Sequence, residues 1–304
     1  MRAWSLNYRD LLNIQDPSGF KRPVLVPLSD GVGEVVDVGE GVHRVVVGDR
    51  VATTFFQNWI AGPFSAATQA SALGGTLDGL LAEYVVLNQD GVVAIPQHLS
   101  DEAGATLPCA AVTAWNALVT DGQLHAGDTI LIQGTGGVSL FALQFAQMMG
   151  VQVIATSSSD QKLERLTQLG VAHGINYKTD PDWDKTIWQL TDKVGVDRII
   201  EVGGAGTFNK SLRAVRYGGH VSLIGVLSGF SADINTVTIL HKAIRVQGIY
   251  VGSRDMFVAM NQAIALHRLQ PIIDRTFPFE HIYDALVYMK SGAHVGKICI
   301  RLND

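Results

Sequence analysis

Gly127-Asp128-Thr129-Ile130-Leu131-Ile132-Gln133-Gly134-Thr135-Gly136-Gly137-Val138-Ser139 reads as a turn, a short buried strand, a glycine turn and the opening of a helix. Ile130, Leu131 and Ile132 form an unbroken apolar run, as a strand covered on both faces requires. Beyond the glycines, Val138, Phe141, Phe145 and Met149 recur at helical spacing and set an apolar stripe. A strand that ends in glycines and feeds a helix suits a pyrophosphate. The backbone can approach the phosphates closely, and the free N–H groups of the helix meet their charge. Gly134, Gly136, Gly137 and Val138 are the residues expected there. Ser139 stands where G-x-G-x-x-G has its third glycine, and its small side chain still permits helix to pack on strand.

Downstream the alternation continues. Val151–Ala155 reads as a strand and Ser159–Leu169 as a helix, with Leu163, Leu166 and Leu169 inward and Gly170 at C′. A weak strand at Ala172–Asn176 precedes a helix at Trp183–Thr191. Strand Val196–Val202, helix Phe208–Val215 and strand His220–Ile224 follow, and Ala243–Tyr250 suits a strand at the sheet edge. Such a series implies an α/β, doubly wound parallel sheet covered on both faces. Helices are expected near Arg254–His267 and Glu280–Met289, and a last strand over Gly296–Leu302.

Upstream the texture is β-rich and irregular. Gly31–Gly39 alternates β-branched residues with glycines, Gly48–Ala52 turns into a strand, and Ala82–Leu87 reads as another strand. Asn58–Gly79 reads as a long loop. Phe55, Phe56 and Trp59 before and within it either line an apolar pocket or belong to the core. Three segments result: 1–107, 108–250 and 251–304.

The end of the second strand of the series selects the cofactor. A site for NAD places an acid about 20 residues past the first glycine, on the ribose diol. This chain has Ala155-Thr156-Ser157-Ser158-Ser159 there, and Asp160 falls one step into the helix. Ser157, Ser158 and Lys162 suit a 2′-phosphate, which points to NADP(H). The alternative is a serine N-cap beside a solvated lysine. Glu201-Val202-Gly203-Gly204-Ala205-Gly206 closes a later strand. Gly203 is expected near the nicotinamide half, with a plain turn as the alternative. Gly225, Val226 and Leu227 follow another strand's carboxyl end, where ligands lie in open α/β sheets.

Composition narrows the function. The chain of 304 residues is 47% hydrophobic and 17% charged, with a formal net charge of -5, which favours neither nucleic acid nor an anionic membrane. Two cysteines, Cys109 and Cys299, are too few for a disulfide framework or a four-cysteine zinc lobe. No signal-type or membrane-length apolar run is evident, so a cytoplasmic location is expected. The 32 glycines exceed the usual share and gather at the ends of apolar runs.

Several stretches carry a family resemblance. They are Ser5-Leu6-Asn7-Tyr8-Arg9-Asp10, Pro27-Leu28-Ser29-Asp30-Gly31-Val32-Gly33, Gly48-Asp49-Arg50-Val51, Leu107-Pro108-Cys109-Ala110-Ala111-Val112-Thr113-Ala114-Trp115, Gly134 to Ser139, and Val251-Gly252-Ser253-Arg254. In these the chain resembles the medium-chain dehydrogenase/reductase superfamily, in its zinc-independent, quinone oxidoreductase-like branch. The resemblance implies a GroES-like catalytic domain made of both chain ends, with the Rossmann domain inserted and the cofactor in the cleft. It also implies a homodimer joined at the Rossmann sheet edge, along Val237–Tyr250. Family members carry opening strands before the segment matching Arg2-Ala3-Trp4, so the first domain is expected to be shortened. Where zinc relatives have ligands, this chain has Asn7, then Leu28-Ser29-Asp30, then Cys109. One thiol and no imidazole do not make a tetrahedral site. Cys109 reads as a small packed residue, and His43 and His125 as surface residues.

The activity implied is NADPH-dependent reduction of a small, apolar, electrophilic substrate, a quinone or an α,β-unsaturated carbonyl, without metal. Asn7 and Tyr8 are the polar candidates to donate to a developing oxygen charge. Thr113 resembles a residue near the nicotinamide ribose, and Tyr177 is a candidate to flank the adenine. Two other readings remain open: an enoyl-thioester reductase, and a non-catalytic NADP-binding regulatory protein.

Overall fold

The structure, a computed structural model, describes residues 1–15 and 24–302. The chain divides into two compact units, Met1–Val112 with Val251–Asp304, and Thr113–Tyr250. The strands are β1 Ala3–Ser5, β2 Asp30–Glu34, β3 Arg50–Thr53, β4 Val92–Ala94, β5 Thr129–Gln133, β6 Gln152–Ser157, β7 His173–Asn176, β8 Val196–Glu201, β9 Val215–Leu223, β10 Arg245–Gly248, β11 Ile273–Pro278 and β12 Lys297–Arg301.

The inserted unit holds a six-stranded sheet in the order β10-β9-β8-β5-β6-β7. Every neighbouring pair in it is parallel. This is the doubly wound dinucleotide-fold order, and the chain reverses direction across the sheet between β5 and β8. Leu131, Ile154, Ile199 and Val221, each at most 1% exposed, line up across its middle under Trp183, Ile187, Phe208 and Leu212. Ile130 and Ile132 point to the opposite face and are equally buried. Each such side chain contributes about 1.5–3 kcal/mol on burial. The helix Gly137–Met148 is covered more widely than its stripe implies. Leu140, Ala142 and Leu143 are buried with Phe141 and Phe145. Val138 and Met149 are only half-buried. Trp115 meets Phe145 edge-on at 5.4 Å. In the helix Asp160–Gln168 only Leu166 is fully buried, and Gly170 takes φ +93°, as a C′ residue does. β9 begins before His220, at Val215.

The other unit holds a sheet in the order β11-β12-β1-β2-β3-β4. β11 and β12 are parallel, and the remaining pairs are antiparallel. The last strand thus returns to the first strand. Ala3, Trp4 and Ser5 pair with β12 on one side and β2 on the other, so β1 is a central strand. Trp4, Leu28, Leu80, Ala285 and Ile300 form its core.

Two readings of this unit change. Ala82–Leu87 is not a strand of either sheet. Its alternation is real, for Val85 and Leu87 pack on the core while Tyr84 and Val86 stand exposed. It lacks a ladder partner, and a strand needs one. The Asn58–Gly79 segment includes a short helix, Ala66–Gln69, capped by Ser65. Phe55, Phe56 and Trp59 are core, at most 5% exposed, and pack edge-on with one another and with Phe64. Among the described residues no helix is long and apolar enough to cross a membrane.

Candidate functional site

The glycine turn after β5 leaves room beside it. Gly134 takes φ +71°, where a side chain strains the backbone, and its N–H bonds Thr156 O at 2.7 Å. Gly136 is the N-cap of helix Gly137–Met148, with no side-chain cap on the first-turn N–H groups. A Cβ at Gly134 or Gly136 would meet nothing within 4 Å. Open space beside uncapped helix N–H groups fits a pyrophosphate. Ser139 answers the missing third glycine with a bond: its hydroxyl donates to Gln133 O at 2.7 Å and ties helix to strand.

Gln133 ends β5 and Glu201 ends β8, the two strands flanking the switch point. Both are buried. Gln133 Nε2 donates to Glu201 Oε2 at 2.8 Å and bridges them. Glu201 Oε1 accepts from Gly203 N and Gly204 N, each at 2.9 Å, and from Thr207 Oγ1 at 2.6 Å. Ser211 Oγ donates to its other oxygen. The carboxylate thereby sets the Gly203–Gly206 turn. The turn after β9 is laced to it through Gly225 N to Glu201 O at 3.1 Å and Ser228 Oγ to Gly203 O at 2.7 Å. A Cβ on Gly225 would lie 2.2 Å from Val202 O, so only glycine fits. Gly203 and Gly225 are thus brought together, with Val226 half-buried beside them and Leu227 53% exposed. The sequence reading missed the Gln133–Glu201 bridge. Its one signal was a polar residue closing each of two apolar strands.

At the end of β6, Ser157 is buried and its carbonyl accepts from Tyr177 N at 3.0 Å, which brings Tyr177 alongside. Ser159 caps the next helix by accepting from Lys162 N. Ser158 and Lys162 are half-buried on the same edge. Asp160, the nearest acid, accepts from Asn176 Nδ2 at 2.7 Å and is engaged there. Thr113 is buried in the helical turn Val112–Trp115 and joins none of these bonds.

In the first unit, Asn7 precedes helix Tyr8–Gln15, and Asp10 reaches back to accept from Asn7 N at 2.8 Å, the carboxylate half of a capping box. Lys297, 4% exposed at the start of β12, donates from Nζ to Leu6 O and Asn7 Oδ1, both at 2.6 Å. Asp30 accepts from Ser29 Oγ at 2.7 Å and Cys109 N at 3.0 Å. Asp10 and Asp30 are buried; Tyr8 is 45% exposed. Lys297 and Asp10 were missed in the sequence, although a lysine opening the apolar strand Lys297-Ile298-Cys299-Ile300 was a visible anomaly.

Zinc does not fit this cluster. Asn7 Oδ1 and both Asp30 oxygens already accept hydrogen bonds, and an ammonium lies among them. Burial, then the charge of Asp30, pushes the Cys109 thiol up. Among the described residues no three His, Cys, Asp or Glu are grouped to hold a metal ion.

Burial raises the Asp10 pKa to about 6, partly offset by Arg9. Asp30 is raised for the same reason, partly offset by Lys297. The ordinary Asp value is 3.8. Between that value and about 6 the folded Asp10 holds a proton that the unfolded one has lost. Stability contributed by Asp10 therefore falls as pH rises through this window. Melting temperatures of wild type and Asp10→Asn should diverge there, the wild type falling faster with rising pH. Parallel profiles would overturn the assignment.

Residues 137–265 match a family model described as zinc-binding dehydrogenase, and residues 1–97 match an alcohol dehydrogenase GroES-like domain. A zinc-type alcohol dehydrogenase-like protein of Schizosaccharomyces pombe is 42% identical, covering 100% of this chain and 90% of that protein. A Sinorhizobium meliloti structure assigned as an alcohol dehydrogenase is 43% identical, with TM-score 0.93 over 99% of this chain and 89% of that one. A 2-octenoyl-CoA carboxylase reductase, solved with NADP and 2-octenoyl-CoA, is 26% identical, with TM-score 0.85 over 99% of this chain and 77% of that one. With a parallel dinucleotide-fold sheet inserted into a GroES-like unit, the chain belongs to the medium-chain dehydrogenase/reductase superfamily and is an oxidoreductase of that family.

Proposed function

We propose that the chain is a cytoplasmic, NADPH-dependent reductase of quinones and α,β-unsaturated carbonyl compounds that works without a metal ion. The observation that carries this reading is the cluster of Asn7, Asp30 and Lys297, which offers hydrogen bonds and a fixed ammonium in place of a metal donor set. Without a Lewis acid, reduction of an already electrophilic conjugated carbonyl is the easier chemistry. Both cysteines are free, as a reducing compartment requires.

When bound, NADPH would supply the hydride that reduces the electrophilic carbon, with the balancing proton drawn from solvent. The chain's part is binding, orientation and hydrogen bonding. Gly134, Gly136, Gly137 and Val138 hold the pyrophosphate. Ser157, Ser158 and Lys162 hold the 2′-phosphate, and Tyr177 flanks the adenine. Thr113, Gly203, Gly225, Val226 and Leu227 bound the nicotinamide half. Asn7, with Tyr8 as a second donor, meets the oxygen on which charge develops. The engagement of Asp160 with Asn176 supports NADPH over NADH, because it removes the nearest acid from a ribose diol.

NADPH consumption over a panel of quinones, enones and enoyl-thioesters tests the activity. The thioesters belong in it because of the likeness to the octenoyl-CoA reductase. Turnover of a quinone or enone supports the proposal; turnover confined to thioesters overturns the substrate class. Lys162→Ala should raise KM for NADPH by about 10–100-fold, the worth of a charged hydrogen bond, and leave KM for NADH unchanged. Equal effects on both cofactors would contradict the 2′-phosphate role.

We also propose a homodimer through the β10 edge. β10 ends its sheet, and Val237, Leu240 and Tyr250 beside it are 54%, 76% and 48% exposed. Light scattering should return twice the chain mass, and Leu240→Lys should return the monomer. A monomeric wild type would refute it.

A further inference from the structure

The ammonium of Lys297 has one effect on Asn7 that chemistry makes unambiguous. A lysine side chain only donates hydrogen bonds. The Asn7 atom at 2.6 Å from it must therefore be the amide oxygen. That contact decides which end of the amide is left over. Asn7 Nδ2, on a side chain 8% exposed, is buried and has no hydrogen-bond partner. It faces the Asp30 carboxylate and favours its charged form as a hydrogen-bond donor does, at a geometry short of a formed hydrogen bond. A buried amide donor without a partner costs free energy unless a ligand satisfies it.

Asn7 is held from three sides. Its N–H is taken by Asp10 at 2.8 Å, its carbonyl accepts from Asp10 N at 2.9 Å, and its Oδ1 is taken by Lys297. Leu6 O, the neighbouring backbone carbonyl, fixes the ammonium in turn. The ammonium also withdraws electron density from the amide and strengthens its N–H as a donor.

We propose that Lys297 is a positioning residue that locks Asn7 as a hydrogen-bond donor toward the carbonyl oxygen of the hydride acceptor. This rests on the reductase reading above and deepens it: the substrate must present an acceptor oxygen to Nδ2, as a quinone or enone does. A substrate group that only donates does not satisfy the site.

The test compares wild type, Asn7→Asp, Lys297→Met and Lys297→Arg in turnover, NADPH affinity and melting temperature. Asn7→Asp keeps an oxygen for the Lys297 contact but removes the donor. It should retain NADPH affinity while kcat of the folded protein falls by about 10²–10³-fold, the scale of losing one preorganised donor. Lys297→Met releases the amide, and kcat should fall by at least about 10-fold with KM for NADPH unchanged. Lys297→Arg restores a donor to Oδ1 and should recover part of the loss. A purely structural lysine predicts a lower melting temperature with kcat preserved in the folded fraction, and that result overturns the proposal. Undiminished kcat in folded Asn7→Asp overturns it independently, even where Lys297→Met does not fold. Absence of turnover by the wild type on every quinone and enone overturns the reductase reading as well, and so is distinct from either.

Discussion

Glu201→Ala is expected to lower the unfolding free energy by about 3–5 kcal/mol, as loss of a buried hydrogen-bonding network does. The side chain is 0% exposed. Its removal takes the sole acceptor from Gly204 N and Ser211 Oγ, and leaves Gly203 N, Thr207 Oγ1 and Gln133 Nε2 with one acceptor each, Gln133 Oε1, Gly204 O and Ser211 Oγ. Each orphaned donor costs roughly 1–3 kcal/mol if water cannot reach it. Two donors are orphaned outright and three lose one of two acceptors, which sets the loss at the scale given. Cofactor affinity should fall too, since the same carboxylate sets the Gly203–Gly206 turn and braces the end of β5. Glu201→Gln keeps an acceptor for the two glycine N–H groups and should cost less than half as much. Chemical denaturation measures the difference. A loss under 1 kcal/mol for the alanine variant would contradict the network's assigned weight.

Gly136→Asp is expected to do the opposite: leave the fold intact and abolish cofactor binding. Gly136 has φ -76° and ψ 175°, which any residue adopts, and its Cβ would meet nothing within 4 Å. Aspartate at an N-cap accepts from the first-turn N–H groups and carries favourable charge there, a gain of a few tenths of a kcal/mol over glycine. The melting temperature should hold or rise. The new carboxylate would occupy the space a pyrophosphate needs, use its donors and repel its charge, so Kd for NADPH should rise more than about 100-fold, or roughly 2.7 kcal/mol. Gly136→Ala separates the terms, keeping part of the steric effect without the charge. Retained binding in Gly136→Asp would move the phosphate site elsewhere.

The inserted unit was the legible half of the chain. Its strands are continuous apolar runs because both faces are buried, and β5, helix Gly137–Met148 and the glycine turn follow directly from that patterning. The first unit was harder. β11 alternates little, since most of Ile273–Pro278 is half-buried or exposed, and it pairs only with β12. Ala82–Leu87 has strand alternation without a ladder, and a single sequence does not reveal whether a partner strand exists. The buried polar groups were the least legible. Lys297 and Asn7 are 290 positions apart and meet only because β12 pairs beside β1. Gln133 and Glu201 likewise meet only because β5 adjoins β8. Sequence spacing carries no record of such pairs. Residue types at strand ends are the hint, and they become chemistry once the sheet order is known.

The most direct test of the whole account is a fluorescence titration of the wild-type chain with NADPH and with NADH, followed by addition of a quinone. NADPH should bind more tightly, by about 10-fold or more, and the quinone should oxidise the bound cofactor in metal-free buffer with chelator. Tighter NADH binding, or turnover that chelator abolishes and zinc restores, would contradict it.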